Sequence, residues 1–304
     1  IGKVRNDGLE LSLNTVNFQT RAFKWTTNFN ISFNKNKVLA LSENQTALLT
    51  AAQFDQNYNG QSSYIAKVGL PMGLMYGYVY EGTYKYDDFN KSGNSYSLKP
   101  GVPHYSTETN TQPGMPKYAD LNGDGVVDSN DRTIIGRGLP IHTGGFTNNF
   151  EYKGIDLSVF FQWSYGNDIM NANRLFFENS NKTRDLNQYA SYADRWTPEN
   201  PESNIPRATD SGSNKVFSTR IIEDGSFLRL KTVSLGYTLP KQLTKKWKID
   251  NARVFVAGQN LWTCTGYSGY DPEVSIREGA LTPGLDFSAY PRAYSISFGI
   301  NLGF

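Results

Sequence analysis

The stretch Y-S-I-S-F-G-I-N-L-G-F, from Tyr294 to Phe304, alternates without exception between an apolar or aromatic residue and a small or polar one. A period of two is the pattern of a β-strand with two different faces. Ten residue steps of about 3.4 Å, tilted by roughly 40°, climb about 26 Å, which matches the apolar band of a transmembrane barrel. Aromatic residues stand at both ends, where a lipid interface favours them. The stretch therefore favours a membrane strand, although an edge strand of a soluble sheet alternates in the same way.

The composition limits the classes of protein that fit. Only 38% of the 304 residues are hydrophobic, and no apolar run is long enough for a transmembrane helix. Strands of a membrane barrel escape that test because half of each strand faces a polar lumen. A net charge of +2 argues for neither nucleic acid nor an anionic surface as a partner, and the single Cys264 rules out a disulfide framework. The chain opens at Ile1 without an initiator Met or a signal peptide, so we expect it to be part of a longer protein.

Further alternating segments predict an all-β fold. A short polar turn near residues 19–21 and a tight turn at Lys153–Gly154 each join two alternating segments into a hairpin. Two short segments, 64–68 and 75–80, are more weakly patterned. We keep them as strands because the alternation of short and long connections requires a short turn between them. In total we expect about nine antiparallel strands, at 9–13, 23–33, 64–68, 75–80, 146–152, 155–165, 227–239, 252–262 and 294–304.

The predicted connections alternate between short and long. Bacterial outer-membrane barrels have short periplasmic turns and longer extracellular loops, whereas a soluble β-sandwich gives no reason for such an alternation. The expected short turns are 69–72, 153–154 and 240–250, and the expected long loops are 34–62, 83–142, 167–220 and 263–292.

One loop carries a metal-binding pattern, D-L-N-G-D-G-V-V-D-S-N-D. Oxygen ligands fall at positions 1, 3, 5, 9 and 12, a main-chain carbonyl is available at position 7, and Gly125 stands at position 6, as in a twelve-residue calcium loop. Position 12 is Asp where EF-hands have Glu, so the loop resembles the dockerin-type variant. We predict a structural Ca²⁺ site, with an Asx-rich turn without metal as the alternative. The predicted ligands are Asp120, Asn122, Asp124, Val126, Asp128 and Asp131.

Several motifs in order resemble one family over essentially the whole chain. They are V-R-N-D-G-L-E-L, the acidic loop, F-T-N-N-F-E-Y-K-G-I-D-L-S-V-F-F-Q, D-G-S-F-L-R-L-K-T-V-S-L-G-Y-T-L-P, G-Q-N-L, G-Y-D-P-E and the closing Phe. Together they resemble the C-terminal part of SusC/RagA-type TonB-dependent outer-membrane transporters. The resemblance implies that residues 1–304 are the C-terminal segment of a barrel of roughly 22 strands, whose plug domain and N-terminal strands lie outside the sequence.

The same resemblance implies a function and partners. Such transporters lie in the outer membrane of Gram-negative, Bacteroidetes-type bacteria and work with a SusD-like surface lipoprotein. They import oligosaccharides, or in some members peptides, with energy passed on through TonB. One alternative is a secreted soluble β-sandwich that binds glycan and carries a dockerin-like calcium loop, but dockerin loops occur in pairs and only one copy is present here. A second alternative is a surface adhesin barrel that does not transport.

No enzymatic motif is found. His104 and His142 both stand in Pro-flanked irregular sequence, and no nucleophile elbow, P-loop or zinc motif is present. We therefore predict that the protein is not an enzyme. Aromatic residues of the predicted loops could stack on sugars, or equally could pack the loops or contact the lipoprotein; they are Tyr165, Tyr189, Tyr192, Trp196, Tyr267 and Tyr270.

Overall fold

A computed structural model describes residues 2–58, 60–178, 187–208, 215–276 and 279–304. Its main element is one seven-stranded antiparallel sheet, here called the wall, in which every strand pairs with its neighbours in chain order. The strands of the wall are β1 Lys3–Gln19, β2 Phe23–Ala40, β3 His142–Tyr152, β4 Ile155–Tyr165, β5 Phe227–Thr238, β6 Asn251–Thr265 and β7 Ser295–Gly303.

The wall has one mainly apolar face because the pairing register aligns the apolar residues of adjacent strands. Phe29 of β2 pairs with Phe146 of β3, which pairs with Phe161 of β4. The rings of Phe146 and Phe161 stack with centroids 4.8 Å apart. At the far edge Phe298 is 82% exposed and Ile300 is 68% exposed. A soluble sandwich would bury this face against a second sheet, so the sandwich alternative does not describe this fold.

The opposite face of the wall is polar. Asp156 of β4 and Arg253 of β6 form an ion pair across β5, with Arg253 Nε 2.9 Å from Asp156 Oδ1. Phe255 also lies on this side, and its ring covers Gly299 of β7, where a Cβ atom would come within 2.3 Å of the ring. Any larger residue at that point of β7 would require the ring of Phe255 to move. The two faces correspond to the lumen and lipid sides of a membrane barrel.

A hydrogen-bonded polar row interrupts the apolar face across three strands. Asn148 of β3 accepts hydrogen bonds from Trp25 Nε1 at 3.0 Å and from Thr27 Oγ1 at 2.7 Å. Thr27 in turn accepts from Asn17 Nδ2 at 2.6 Å. Each of these polar groups finds its partner within the row, which lowers the cost of placing it in an apolar environment.

The connections at the two rims of the wall, where its strands begin and end, differ in length. At one rim the strands are joined only by short turns, at residues 20–22, 153–154 and 239–250, and we call this rim the turn edge. Lys153 and Gly154 have φ angles of 46° and 90°, the two positive values that a type I′ hairpin turn requires. The other edge carries three long connections, at residues 41–141, 166–226 and 266–294. Short and long connections therefore alternate along the whole wall.

The two weakly patterned segments form strands outside the wall, so the expected position of both strands was wrong. Ser62–Lys67 and Leu74–Gly77 pair with each other in a separate four-stranded sheet, between Ala47–Ala51 and Thr133–Arg137. With six and four residues, they are shorter than the roughly nine residues that a tilted strand needs to cross a bilayer. The predicted turn at 69–72 and the loops 34–62 and 83–142 thus belong largely to one long connection.

The three long connections fold together into one unit, here called the loop layer, with its own hydrophobic core. Tyr64 and Met75 from the first connection, Met170 and Ile221 from the second, and Leu285 from the third are all fully buried in one cluster. Asp168–Asn171 also pairs with Ile222–Asp224 and with Leu285–Asp286 in a three-stranded sheet. The loop layer is therefore an ordered structure that no single connection forms alone.

The remaining elements are short. The other strands of the loop layer are Tyr80–Thr83, Phe89–Ser92, Ser95–Leu98, His104–Tyr105, Pro116–Tyr118 and Val126–Val127. The α-helices are Arg174–Phe177 and Lys241–Thr244, and single 3-10 turns occur at Ser42–Asn44, Gln56–Tyr58, Tyr86–Asp88, Ser129–Asp131, Ala190–Asp194, Thr219–Ile221 and Lys245–Trp247. Among the described residues, no helix is long and apolar enough to cross a membrane.

Candidate functional site

The acidic loop lies in the first long connection and is closed by Asp131. This side chain is fully buried. Its Oδ1 accepts the backbone N–H groups of Leu121 at 2.8 Å and Asn122 at 3.2 Å, and its Oδ2 accepts that of Asp128 at 2.8 Å. Burial by itself raises the pKa of Asp131, but these three donors outweigh it and lower the pKa below its ordinary value. Asp131 therefore joins the beginning and the end of the loop as an ionised carboxylate.

The other side-chain oxygens of the loop also accept backbone N–H groups. The donors are Gly123 and Gly125 to Asp120, Asp124 to Asn122, Val126 to Asp124, and Asn130 to Asp128. Carboxylate and carboxamide oxygens are the ligand types that Ca²⁺ prefers. Within the part of the chain that the structure describes, however, no three His, Cys, Asp or Glu side chains approach one another closely enough to hold a metal. The donor chemistry fits Ca²⁺, while the calcium site itself stays a prediction.

The loop layer is fixed to the wall by a buried ion pair. Arg229 Nη2 on the polar side of β5 lies 2.5 Å from Asp271 Oδ1, and both side chains are at most 4% exposed. Arg229 Nη1 also lies 3.0 Å from Glu273 Oε2. Burial raises the pKa of Asp271, but Arg229 and the backbone N–H groups of Glu273 and Arg292 lower it further than burial raises it. The G-Y-D-P-E motif is thus a structural anchor, a role that its sequence pattern alone did not indicate.

A second polar cluster joins the second and third connections to each other. Glu223 Oε1 accepts from Arg174 Nε at 2.8 Å and from Asn171 Nδ2 at 2.9 Å. Its Oε2 accepts the backbone N–H of Ser268 at 2.8 Å. Burial raises the pKa of Glu223, but the donors of Ser268 and Asn171 and the charge of Arg174 bring the net pKa below its ordinary value. No sequence motif marked these residues, because the contact joins segments that are 45 or more positions apart.

The six aromatic candidates for sugar stacking occupy different environments. Tyr192, Trp196 and Tyr267 are buried, so they pack the loop layer. Tyr165 is 54% exposed but stacks on His142, with ring centroids 5.0 Å apart, at the end of the apolar face. Tyr189 is half-buried. Only Tyr270, at 87% exposed, presents its ring openly from the loop layer. A second exposed tyrosine of this layer, Tyr290, is 90% exposed and was not among the sequence candidates.

The two histidines lie in different parts of the fold. His142 Nδ1 accepts the indole N–H of Trp163 at 3.1 Å within the wall. His104 lies in a two-residue strand that pairs with Val126–Val127 beside the acidic loop. The position of His142 is thus explained by packing within the wall.

The fold and its anchors define the class of protein. One face of the wall is apolar and exposed, the other is polar, and the long connections leave from a single edge and form an ordered layer. These features are those of a segment of a large antiparallel transmembrane β-barrel, which confirms the fold class predicted from the sequence.

Comparison with known proteins narrows this class. The TonB-dependent receptors P3 and P26 of Formosa agariphila are 33% and 34% identical to the whole chain, which covers 29% of each. The TonB-dependent receptor SusC of Bacteroides thetaiotaomicron is 25% identical over the whole chain, which covers 27% of it. No family model matches. The resemblance to a SusC/RagA-like barrel segment is confirmed: the chain is homologous along its entire length to part of these TonB-dependent receptors.

Solved structures agree in fold. The RagAB peptide transporter matches with a TM-score of 0.75 and 24% identity, over 99% of this chain and 29% of that one. The RagAB peptide importer in its closed-closed state matches with a TM-score of 0.74, over 99% of this chain and 30% of that one. The chain thus spans less than a third of the proteins it resembles.

Proposed function

We propose that the chain forms part of the barrel wall and the outer loops of a TonB-dependent receptor that imports a nutrient across the outer membrane of a Bacteroidetes-type bacterium. The main support for this proposal is the match of the whole chain to TonB-dependent receptors. The exposed apolar face of the wall, which suits contact with lipid, agrees with it. In this proposal the polar face lines the lumen and the loop layer faces the outside. Contact with TonB belongs to the parts of the receptor beyond these residues.

The proposed partner is a SusD-like surface lipoprotein seated on the loop layer. The proposed cargo is an oligosaccharide, and the open rings of Tyr270 and Tyr290 are of the kind that stacks on sugars. A peptide is the second candidate, because the RagAB structures with this fold are described as a peptide transporter. Binding and transport, and no catalysis, are the activities we assign.

Gene deletion in the native bacterium tests the proposal. We expect the deletion strain to lose growth on one class of oligosaccharide as sole carbon source while growing normally on the constituent monosaccharide. The same loss is expected when TonB is removed and the receptor is intact. A defect confined to peptides would establish the second candidate. Normal growth and uptake on both classes would contradict import as the function.

We further propose that the acidic loop binds Ca²⁺ through Asp120, Asn122, Asp124, Asp128 and the Val126 carbonyl, with Asp131 closing the loop. The support is the spacing of these oxygen ligands within a twelve-residue stretch of the sequence. If this is right, Ca²⁺ protects the loop from protease in the purified receptor, and the double variant Asp120→Asn with Asp124→Asn loses the protection. Asp87→Asn, an exposed acid in the same connection, is the control. Equal cleavage with Ca²⁺ and with chelator would rule out the site.

A further inference from the structure

The turn edge of the wall is strongly basic. Residues 19–24, 151–155 and 239–250 contain seven of the chain's 30 Lys and Arg but only two of its 28 Asp and Glu. Over the whole chain the two kinds of charge nearly balance, with a net charge of +2. The positive charge is thus concentrated at the edge opposite the loop layer, and most of it lies in the turn between β5 and β6.

That turn combines cations with exposed apolar side chains. It consists of the helix Lys241–Thr244 and the 3-10 turn Lys245–Trp247. Trp247 is 67% exposed and Leu243 is 52% exposed. Four lysines lie within eight residues, and none of them forms an ion pair with any residue that the structure describes; they are Lys241, Lys245, Lys246 and Lys248.

Aromatic residues place the turn at the boundary of the apolar band. Tyr152 and Tyr237, at the turn-edge ends of β3 and β5, are 47% and 40% exposed, and Phe304 beyond β7 is 86% exposed. At the other end of β3, His142 stacks on Tyr165. The ten residue steps from His142 to Tyr152 correspond to about 26 Å along the barrel axis, the thickness of the lipid-facing band. The β5–β6 turn therefore begins where the hydrocarbon ends.

We propose that the turn 239–250 is a binding site for anionic phospholipid headgroups, with Trp247 and Leu243 inserted at the interface and the four lysines contacting phosphate. This rests on the proposed outer-membrane location, in which the turn edge faces the inner, phospholipid leaflet. An exposed Trp at headgroup level is an interfacial anchor. Lysines without carboxylate partners attract an anionic surface.

The composition of the turn favours lipid over a protein partner. In water the exposed side chains of Trp247 and Leu243 gain nothing from their position beside the four lysines. At a bilayer surface both kinds of group are satisfied at once, because the apolar side chains enter the interface while the cations stay in the headgroup layer.

The test uses the complete receptor, extracted from the outer membrane in mild detergent and incubated with an equimolar mixture of phosphatidylglycerol and phosphatidylcholine. Lipid that stays bound is counted by native mass spectrometry. We expect the unaltered receptor to retain phosphatidylglycerol preferentially. Replacing the four turn lysines with Gln should lower this retention about tenfold, and Trp247→Ser should lower the retention of both lipids.

Four exposed lysines of the first connection and the end of β2 serve as the matched control: Lys35, Lys67, Lys91 and Lys99, each replaced with Gln. This variant changes the charge by the same amount and should retain phosphatidylglycerol as the unaltered receptor does. Equal loss in both quadruple variants, or no loss in either, would overturn the site while leaving the receptor in the membrane. Absence of the unaltered receptor from the outer-membrane fraction would overturn the proposed function as well.

Discussion

The wall and the loop layer use similar apolar residues in opposite ways. Phe298 of the wall is 82% exposed, whereas Phe217 of the loop layer is 2% exposed. In the loop layer, water outside drives such side chains into a shared core. In the wall, the same kind of side chain points outward in register across seven strands, which is stable only if the outside is itself apolar. The solvent on each side, more than the residue type, determines where the apolar groups go.

The largest expected effect lies at the junction of the two regions. Asp271→Ala leaves the buried Arg229 without its closest partner, and breaking such a pair costs about 3–5 kcal/mol. We expect the third connection to become sensitive to protease while the wall of the receptor keeps its resistance to SDS at room temperature. Asp87→Ala removes an exposed acid and is the control. Unchanged cleavage of the Asp271 variant would mean that other contacts hold the two regions together.

Truncation of a side chain in the shared core should destabilise the loop layer without destabilising the wall, and therefore distinguishes the two regions more clearly. Leu285 is fully buried, and Leu285→Ala should destabilise the layer by about 2–5 kcal/mol. Because all three long connections contribute to this core, amide hydrogen exchange should rise in all three. The strands of the wall should be unaffected. Leu49→Ala, at a position that is 47% exposed, should change little. Increased exchange in the third connection alone would show that the core is not cooperative.

A charge on the lipid side tests the wall. Val159 lies in the middle of β4 on the apolar face, paired with Val233, and an Arg near the midplane of the bilayer costs about 2–4 kcal/mol. Ser158→Arg places the same charge on the polar face one residue earlier. We expect Val159→Arg alone to lower the amount of folded receptor in the outer membrane, measured by heat-modifiable migration on gels. Equal effects of the two variants would contradict the assignment of the faces.

Acid should loosen the loop layer before the wall. The folded-state pKa values of Asp271 and Glu223 are lowered, so their stabilising contribution is present above the unfolded-state pKa, about 4. It is lost as the pH falls through the lower, folded-state values. Because the pKa of Asp131 in the first connection is lowered as well, pepsin cleavage below about pH 4 should therefore begin in the loop layer. First cleavage within the wall would contradict this order of events.

Much of the wall could be predicted from the sequence because alternation is a local signal. Ile155 to Tyr165 could be recognised as a strand from its own residues, and the order of short and long connections then followed. The four-stranded sheet of the loop layer could not be placed in the same way. Its strands are four to six residues long, and their pairing depends on contacts far apart in the chain, which periodicity does not record.

For the candidate site, too, the sequence predicted some features and could not predict others. The spacing of the acidic loop is local and could be read directly, including the special position of Asp131. The junction of Arg229 with Asp271, 42 positions apart, could not be predicted, because a lone Arg in a strand and an Asp in a loop carry no sign of each other.

The shared core of the loop layer also limits how the sequences of the three long connections can change. Tyr64, Met170 and Leu285 come from the three different long connections but pack in one cluster. Replacing one connection with that of a relative would therefore leave the other two poorly packed. The three connections must then change together, and Arg229 of the wall must change with them, because it holds the third connection through Asp271. Grafting experiments should succeed with the set and fail with its members.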